Sequence, residues 1–537
     1  MADKVIKKNE ALVPFWGDKM TFVRGLDPLG LQNASEKAYS YLVPGLNNVT
    51  LLIRAYSFYC WLLREYARQI DSTDPAKQRR FVRKAEYLLA LVSSHHGIQG
   101  VSGTLYAGAQ LAKGLAEIDL AAGIYNGEGD TAGTFWDNPN GVLGAYYLGS
   151  MRQIGLIDEP LDPLTDKPLG ISRITDSSYP NLKVTGKDLA RAFDNTLSPA
   201  GKALFLKCMT KERVRVRDLS ALAADFHLHT IASGGEEWQL LKTLLMSADK
   251  PGFPPEQSEF MRRRTIIYLL QLAEKHPKGI EPREVAWFAY DEKGMMDGEQ
   301  DDCLTGWYYY QLNEYYQYAC TALFNRCLSI VQKEVDSGWK SLDDLLQETT
   351  TEVVGMLNSA FKNLPRQATL NDALQGLNYD ENDLVYDIAS TDRVEECLMS
   401  SFLLLWQLYI NNQSHLTRLN TFIRRHGLET ENDVLACFQH LERVKEQPLH
   451  LHVSSFLLHK ILLRHRFVAF SKMGNGSKST EKFILEDRFV RVIDTFEPGF
   501  TGPRLNNLAA FLRDLNFLKK GNKLSKAGKE LLKSENV

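Results

Sequence analysis

The chain contains 537 residues, of which 44% are hydrophobic and 24% are charged, close to the usage of ordinary globular domains. This composition excludes a mainly disordered chain, a collagen-like repeat and a small disulfide-stabilised protein. The 63 basic and 66 acidic side chains leave a net charge of −3. Affinity for nucleic acid or for an anionic membrane would therefore have to come from a local patch. At roughly 150 residues per domain, the length predicts two to four domains.

The sequence lacks the usual marks of an exported or membrane-spanning protein. Residues 1–4, Met-Ala-Asp-Lys, lack the apolar core of a secretory signal. The most apolar stretch, 401–410, is about half as long as a bilayer-crossing helix. Seven cysteines are scattered without a C-x-x-C pair, which argues against a zinc ribbon, a redox motif or a secreted disulfide framework. We therefore expect a cytoplasmic protein with no membrane partner, whose thiols are core residues.

Apolar residues recur at helical spacing along most of the chain, and strand-like alternation is short and rare. The first long helix is expected after the turn at Pro44-Gly45, with Asn48 or Thr50 as its cap. The predicted helices cover 48–70, 76–93, 142–154, 185–193, 304–335, 341–362, 392–412, 415–426, 431–444 and 451–468. We predict a mainly α fold: a multi-helix body with small winged-helix-like units built on short β-hairpins, and α+β character at the ends.

Segments rich in glycine, proline or polar residues mark the expected boundaries. We assign the glycines at 97–103 to close helix packing, residues 251–255 to a linker and residues 471–480 to a loop. Residues 182–185 alternate like a strand. The predicted division is an N-terminal helical region at 1–130, a winged-helix-like unit at 131–200, a central helical domain at 201–470 and a C-terminal winged-helix-like unit at 481–537.

The C-terminal segment predicts a helix, a hairpin and a second helix. Residues 508–518 form an apolar-faced helix, and Gly521-Asn522 favours a tight turn because both residues tolerate positive φ. Ser525 can cap a last helix that runs through Leu532. This order resembles the end of a winged-helix domain, in which a helix enters the major groove of DNA and the hairpin touches phosphates. A similar order recurs upstream, at 147–190.

The two copies differ in charge. Residues 501–537 hold eight basic and three acidic side chains, a net charge of +5, whereas the upstream copy is less basic. When such a patch neutralises DNA phosphates, the phosphates release their counterions. This release gives an affinity that does not depend on the base sequence and that decreases as the salt concentration rises. We expect six side chains to contact phosphates rather than to read bases: Arg504, Arg513, Lys519, Lys520, Lys523 and Lys526. Two other interpretations stay open, namely a protein-docking module and a solvated lysine-rich face.

Other patterns do not meet the requirements of a site. The histidine pairs at 227–229 and 450–452 supply two imidazoles each, whereas a metal needs three or four converging ligands. The glycine spacing at 97–103 fits neither a dinucleotide fingerprint nor a P-loop. The acidic run at 291–302 has lysine and methionine where a calcium loop needs oxygen ligands, and the tyrosine stripe at 308–318 is typical of a core helix. We therefore predict no catalytic, cofactor or metal site.

Three blocks in the first fifth of the chain carry a family resemblance. Residues 42–45, Leu-Val-Pro-Gly, precede 52–61, Leu-Ile-Arg-Ala-Tyr-Ser-Phe-Tyr-Cys-Trp, and the glycine segment at 97–103 has Tyr106 downstream. These blocks resemble an uncharacterised bacterial family whose members tend to lie in phage-defence and mobile islands, although Tyr56 stands where that family has a second arginine. The chain also resembles an accessory subunit of a multi-gene antiviral system such as Druantia. This resemblance implies other subunits of such a system as partners.

Three functions are compatible with the sequence. The first is a non-catalytic scaffold or adaptor of a bacterial anti-phage system, with double-stranded DNA as a ligand of the C-terminal unit. The second is a metal-dependent nuclease or nucleic-acid-modifying enzyme that uses Asp297, Asp301 and Asp302 to hold Mg²⁺. The third is a protein-binding regulator without nucleic-acid contact.

Overall fold

The computed structural model of the chain describes residues 21–22, 27–47, 49–50, 52–98, 100–180, 182–246, 258–296, 298–333, 338–361, 364–365, 367–473 and 478–535. The protein is mainly helical, with 62% helix and 6% strand. Its strands form small sheets that are antiparallel except for one parallel pair in the described chain. The predicted mainly α fold is confirmed at this level.

The elements follow one another in chain order. The helices are α1 (Gln32–Leu42), α2 (Arg54–Gln69), α3 (Pro75–His95), α4 (Thr104–Leu111), α5 (Leu120–Ile124), α6 (Leu148–Gln153), α7 (Gly186–Thr196), α8 (Pro199–Lys211), α9 (Leu219–Asp225), α10 (Glu236–Met246), α11 (Ser258–Lys275), α12 (Glu284–Asp291), α13 (Asp302–Gln332), α14 (Leu342–Ala360), α15 (Leu370–Gln375), α16 (Glu381–Ser390), α17 (Val394–Asn412), α18 (Leu416–Arg425), α19 (Val434–Val444), α20 (Leu449–Phe456), α21 (Leu463–Lys472), α22 (Leu505–Asp514) and α23 (Lys526–Glu535). The strands are β1 (Thr21–Phe22), β2 (Glu117–Asp119), β3 (Ile157–Asp158), β4 (Arg173–Ile174), β5 (Arg213–Arg215), β6 (Met295–Met296), β7 (Glu299–Gln300), β8 (Lys340–Ser341), β9 (Lys478–Ser479), β10 (Phe483–Glu486) and β11 (Phe489–Val492). Single π-helical turns at Leu143–Tyr147 and Leu457–Leu462 lead into α6 and α21.

The chain divides into two compact units, each made from two separate segments. Unit 1 comprises Met1–Ser35 and Leu312–Thr501, and unit 2 comprises Glu36–Gln311 and Gly502–Val537. The first part of α13 belongs to unit 2 and the rest to unit 1, because the division falls inside that helix.

The sequence-based division into four domains stays a prediction, and the two units divide the chain differently. Residues 481–501 belong to unit 1 and residues 502–537 to unit 2, whereas the sequence suggested a single unit at 481–537. The predicted linker at 251–255 and part of the predicted loop at 471–480 lie outside the described residues.

Local sequence signals set several helix ends. α3 starts with Pro75 after Asp74, whose carboxylate accepts the Ala76 amide at 2.8 Å. The predicted opening of α7 is confirmed, because Thr185 forms a reciprocal capping box with an aspartate three residues later. α6 ends just before Gly155, whose φ of 76° is the left-handed geometry that stops a helix.

Three local predictions are wrong. α2 begins at Arg54 rather than at 48, so Thr50 is not its cap, and Asn48 lies outside the described residues. Three glycines of 97–103 have φ between 66° and 83° and lie in the connection between α3 and α4, and this left-handed backbone explains them better than helix packing does. Residues 182–185 are irregular, and the ladder of this region is formed instead by β3 and β4.

α2 forms the centre of unit 2. Nearly all its residues from Arg54 to Tyr66 are buried, so almost the whole circumference of the helix packs against the protein. α7 packs along it, and the ring centroids of Phe58 and Trp61 lie 6.0 and 5.8 Å from that of Phe193. Burial of large aromatic rings makes α2 the main apolar anchor of this unit.

Unit 1 is a helical body with one small sheet. α14 and α16 pack on α17, and α20 packs on α14. β10 and β11 form a hairpin with Phe483 opposite Val492, and β8 extends it on the β11 side. The sequence did not predict this hairpin or the short helices α15 and α16. The tyrosines of 308–318 are buried, which confirms their assignment to a core helix.

The cysteines are core residues, as predicted. All seven are buried and none forms a disulfide. Burial raises the pKa of the Cys437 thiol to about 12, which keeps this group protonated and unreactive. No helix of the described residues is long and apolar enough to cross a bilayer.

Candidate nucleic-acid interface

A tight hairpin connects α22 and α23. Leu518 and Leu524 form an antiparallel bridge, and the Lys519 amide donates to the Lys523 carbonyl at 2.7 Å. Gly521 and Asn522 form the tip with φ of 73° and 53°. The predicted helix, turn and helix are therefore present, because Gly-Asn accepts the left-handed backbone that a tight turn needs.

Ser525 joins the hairpin to α23. Its amide donates to the Phe517 carbonyl at 3.1 Å, and its hydroxyl accepts the Gly528 amide at 2.9 Å, which satisfies one free donor of the first helical turn. Gly528 is required here, since a Cβ at this position would lie 2.4 Å from the Phe517 carbonyl oxygen. The cap thus fixes where the lysines of α23 begin.

The structure places five of the six predicted phosphate-binding residues at the surface. Lys519, Lys520 and Lys523, hereafter the hairpin patch, are exposed around the tip. Lys526 is exposed at the start of α23, and the exposed Arg513 donates to the Asn522 side-chain oxygen. Lys529 and Lys533 share one exposed face with Lys526 because they follow it by three and seven residues.

Arg504 does not belong to this surface. It is half-buried before α22, where its guanidinium donates to the Leu46 carbonyl and stacks on the Tyr39 ring at 4.4 Å. The side chain therefore holds the segment around Leu46 in place. Its role as a phosphate contact stays a prediction, and the structure places it apart from the exposed lysines.

The three acids of the segment do not neutralise the hairpin patch. Asp514 is turned inward, accepts the Ile53 amide at 3.2 Å and has a pKa raised to about 6 by burial. Glu535 pairs with Arg263 at 2.6 Å. Glu530 is exposed and lies 4.0 Å from Lys526. None of these three carboxylates therefore pairs with a lysine of the hairpin patch.

The hairpin tip rests against a loop that is distant from it in the sequence. The Asn522 amide group donates to the Ile280 carbonyl at 3.0 Å. Gly279 has φ of 111°, and a Cβ there would lie 2.0 Å from the Gly521 carbonyl oxygen. This loop exposes Lys278 next to the tip. No local signal could reveal the contact, because about 240 residues separate the two segments.

α22 cannot play the part of a groove-entering helix in this arrangement. Its residues from Asn507 to Leu512 are all buried, and it exposes only Asn506 and Arg513. A helix that enters the major groove must present a free face to the base edges. The resemblance to a winged-helix domain is thus limited to the order of elements, and the exposed lysines of the described part of this segment lie on the hairpin and α23.

The upstream segment offers a different surface. α6 and α7 flank the β3–β4 ladder, and a long loop between the strands exposes Leu161 and Leu164, the latter by 93%. The charged residues of this loop are mainly acidic. In the described part of the chain, this loop exposes one lysine, Lys167, and not a cluster like that of the hairpin.

The acidic residues of the second hypothesis are engaged in structural contacts where they are described. One Asp301 oxygen lies 2.7 Å from the Arg264 guanidinium and 2.5 Å from the Tyr268 hydroxyl, and the other accepts the Leu304 amide. Asp297 lies outside the described residues. The described residues bring no three His, Cys, Asp or Glu side chains together in a group that could hold a metal ion.

The comparisons with known proteins add no assignment. No family model matches the chain, and no curated protein and no solved structure matches it either.

Proposed function

We propose that this chain is a non-catalytic adaptor of a bacterial anti-phage system that contacts double-stranded DNA through the hairpin patch. The observation that supports DNA contact is the exposed lysine cluster at the hairpin tip, beside acids that are buried or paired elsewhere. Lysines on a rigid turn attract phosphates as point charges and release counterions. The antiviral role is supported by the resemblance at 42–61 and 97–106.

The expected mode of binding is independent of sequence. Lysine ammonium groups do not read base edges as bidentate side chains do, and α22 has no free face to enter a groove. Each phosphate contact should add about one unit to the slope of log affinity against log salt, so a patch of three lysines should give a slope of about three. We expect weak affinity for duplex DNA that falls with salt.

Charge reversal tests this proposal directly. In the full chain, Lys519→Glu, Lys520→Glu and Lys523→Glu together should lower duplex affinity at low salt by about 100-fold or more. The slope of log affinity against log salt should fall by about three. Fluorescence anisotropy with two unrelated duplexes of equal length measures both quantities.

A matched variant separates the patch from net charge. Lys113, Lys207 and Lys211 are exposed elsewhere in unit 2, and their change to Glu alters the net charge by the same amount. We expect this control to change affinity by less than about threefold. Unchanged affinity in the patch variant, or an equal loss in the control, contradicts DNA contact at the hairpin. Loss of phage protection in cells that carry the patch variant would support the antiviral half.

A further inference from the structure

Unit 1 exposes an apolar line on the helix that runs through α20, the π-turn and α21. Leu463, Phe467 and Phe470 are 37%, 63% and 75% exposed. Their spacing of four and three residues places them on one side of α21. Two exposed phenylalanines one turn apart on a well-packed helix are unusual for a surface that faces only water.

The π-turn keeps the exposed side of this helix in line. Exposed positions recur every four residues from Leu451 through Ser455 and His459 to Leu463 and Phe467. In a plain α-helix, four such steps would carry the line about 160° around the axis. The π-turn at 457–462 accommodates one extra residue. This residue rotates the positions that follow it back by about 100° around the helix axis. The exposed line therefore drifts by about 60° instead of about 160° and stays on one side of the helix.

α21 is held rigidly from its other side. The His465 ring accepts the Lys482 amide at 2.8 Å, and Arg464 donates to the Leu29 carbonyl at 2.9 Å. The Arg464 guanidinium also lies 5.4 Å from the centre of the Phe467 ring and supports that side chain. A binding partner would meet a side chain that is already in place, which lowers the entropy lost on association.

The segment that carries the apolar line is one-sided in charge. From 447 to 480 the sequence contains no Asp or Glu, and Glu481, the first acid after this range, pairs with Arg466 at 3.8 Å. Lys460 and Arg464 flank the line, and neither pairs with a carboxylate in the described parts of the chain. A complementary surface would combine an apolar slot with carboxylates at its rim, because interfaces match opposite potentials.

We propose that Leu463, Phe467 and Phe470, hereafter the apolar ridge, insert into an apolar groove of a partner protein whose rim carries Asp and Glu. Anchors at i, i+4 and i+7 are the pattern of a helix laid in a groove, and aromatic side chains beside arginine are typical of interface hot spots. Ser455 and His459 interrupt the apolar line, which favours a short groove over a bilayer. The inference rests on the adaptor half of the proposed function and names the chemistry of its partner.

Photo-crosslinking tests the ridge in the full chain. A photoreactive phenylalanine replaces Phe470 in cells from which the gene comes, and mass spectrometry identifies the adduct and the crosslinked peptide. We expect one dominant protein adduct, with the crosslink in an apolar groove bordered by carboxylates. Phe467→Asp should lower its yield by about tenfold or more. Lys460→Glu should lower it as well, and reversal of the facing carboxylate in the partner should restore it.

Controls make each outcome decisive. Tyr386→Asp changes a 70% exposed aromatic on α16 of the same unit and should leave the adduct yield unchanged. Absence of a protein adduct, an adduct that Phe467→Asp does not reduce, or a groove rimmed by lysine and arginine overturns the proposal. A second measurement is sedimentation of the chain with phosphatidylcholine vesicles that contain about 30% phosphatidylglycerol. Vesicle binding that requires Phe467 would overturn the proposal, because the ridge would then be a membrane contact.

The same experiment distinguishes this inference from DNA binding. The adduct should persist after nuclease treatment and in the Lys519→Glu, Lys520→Glu and Lys523→Glu variant. An adduct that disappears in either case contradicts a direct protein contact. The adduct could also persist in this lysine variant while the variant still binds duplex DNA. That result would support the apolar ridge and would refute only DNA contact at the hairpin patch.

Discussion

Two segments of unit 2 share the order helix, ladder and helix but present different surfaces. In the upstream segment, Ala145, Gly149 and Arg152 leave one side of the first helix open, and the loop between the strands exposes Leu161 and Leu164. In the C-terminal segment, α22 is buried and the short hairpin exposes lysines. The order of elements is therefore a poor guide to function, which depends on the side chains at the surface.

One carboxylate connects each segment to the core. In the upstream segment the carboxylate belongs to a core helix, whereas in the C-terminal segment it belongs to the segment itself. Glu86 of α3 accepts the amides of Val142 and Leu143 at 2.9 and 2.7 Å, where the upstream helix begins. Asp514 of α22 instead accepts the amide before α2. Burial raises the pKa of Glu86 to about 7 and that of Asp514 to about 6. The C-terminal segment is thus built into the core, and only its hairpin and last helix are free to bind.

The largest expected effect tests whether α22 is a core helix. Phe511 is fully buried, with its ring 5.8 Å from that of Tyr56. Phe511→Ala should lower the free energy of unfolding by about 3–5 kcal/mol, because it removes apolar contacts and leaves a cavity. Urea denaturation of the full chain measures the shift in midpoint. Arg513→Ala on the exposed side should cost less than about 0.5 kcal/mol, and equal effects would contradict the inward role of α22.

Periodicity predicted the long helices and the tyrosine core helix, because a face buried along many turns leaves a repeating apolar signal. It missed α15, α16 and the β10–β11 hairpin, where fewer residues repeat. The predicted start of α2 at 48 is too early, since Thr50, Leu52 and Ile53 are buried without being part of the helix. The charge of the C-terminal segment was readable from sequence, but the inward turn of Arg504 and the contact of the tip with Gly279 depend on tertiary packing.

A pH series on Asp514 measures how far the C-terminal segment is buried. Because the folded pKa is raised above that of the unfolded chain, the charged carboxylate destabilises the fold fully above about pH 6 and not below about pH 4. Asp514→Asn keeps an acceptor for the Ile53 amide, so it should raise the free energy of unfolding by about 1–2 kcal/mol at pH 8. The gain should vanish at pH 4. If the gain in the free energy of unfolding does not change with pH, the pKa of Asp514 is the same in the folded and unfolded chain, as expected for a carboxyl exposed to water.

Gly279→Ala should disturb the position of the hairpin patch without changing any charge. The new Cβ cannot coexist with the Gly521 carbonyl oxygen, so the tip must move away from the loop. We expect duplex affinity to fall about three- to tenfold, or about 1 kcal/mol. Gly97→Ala is the control, since Gly97 also has a positive φ but its Cβ would meet open space. An equal loss in both variants would mean that the tip position is irrelevant to binding.

The smallest effect is expected at the upstream loop, which carries a single lysine, Lys167, instead of a cluster. Leu161→Ser and Leu164→Ser together should change the free energy of unfolding by less than about 0.5 kcal/mol, because both side chains are already largely in water. Duplex affinity, measured by anisotropy, should stay within about twofold. These changes could instead weaken DNA binding as much as Gly279→Ala does. Both segments would then contact DNA, and the difference between their surfaces would not determine which of them binds it.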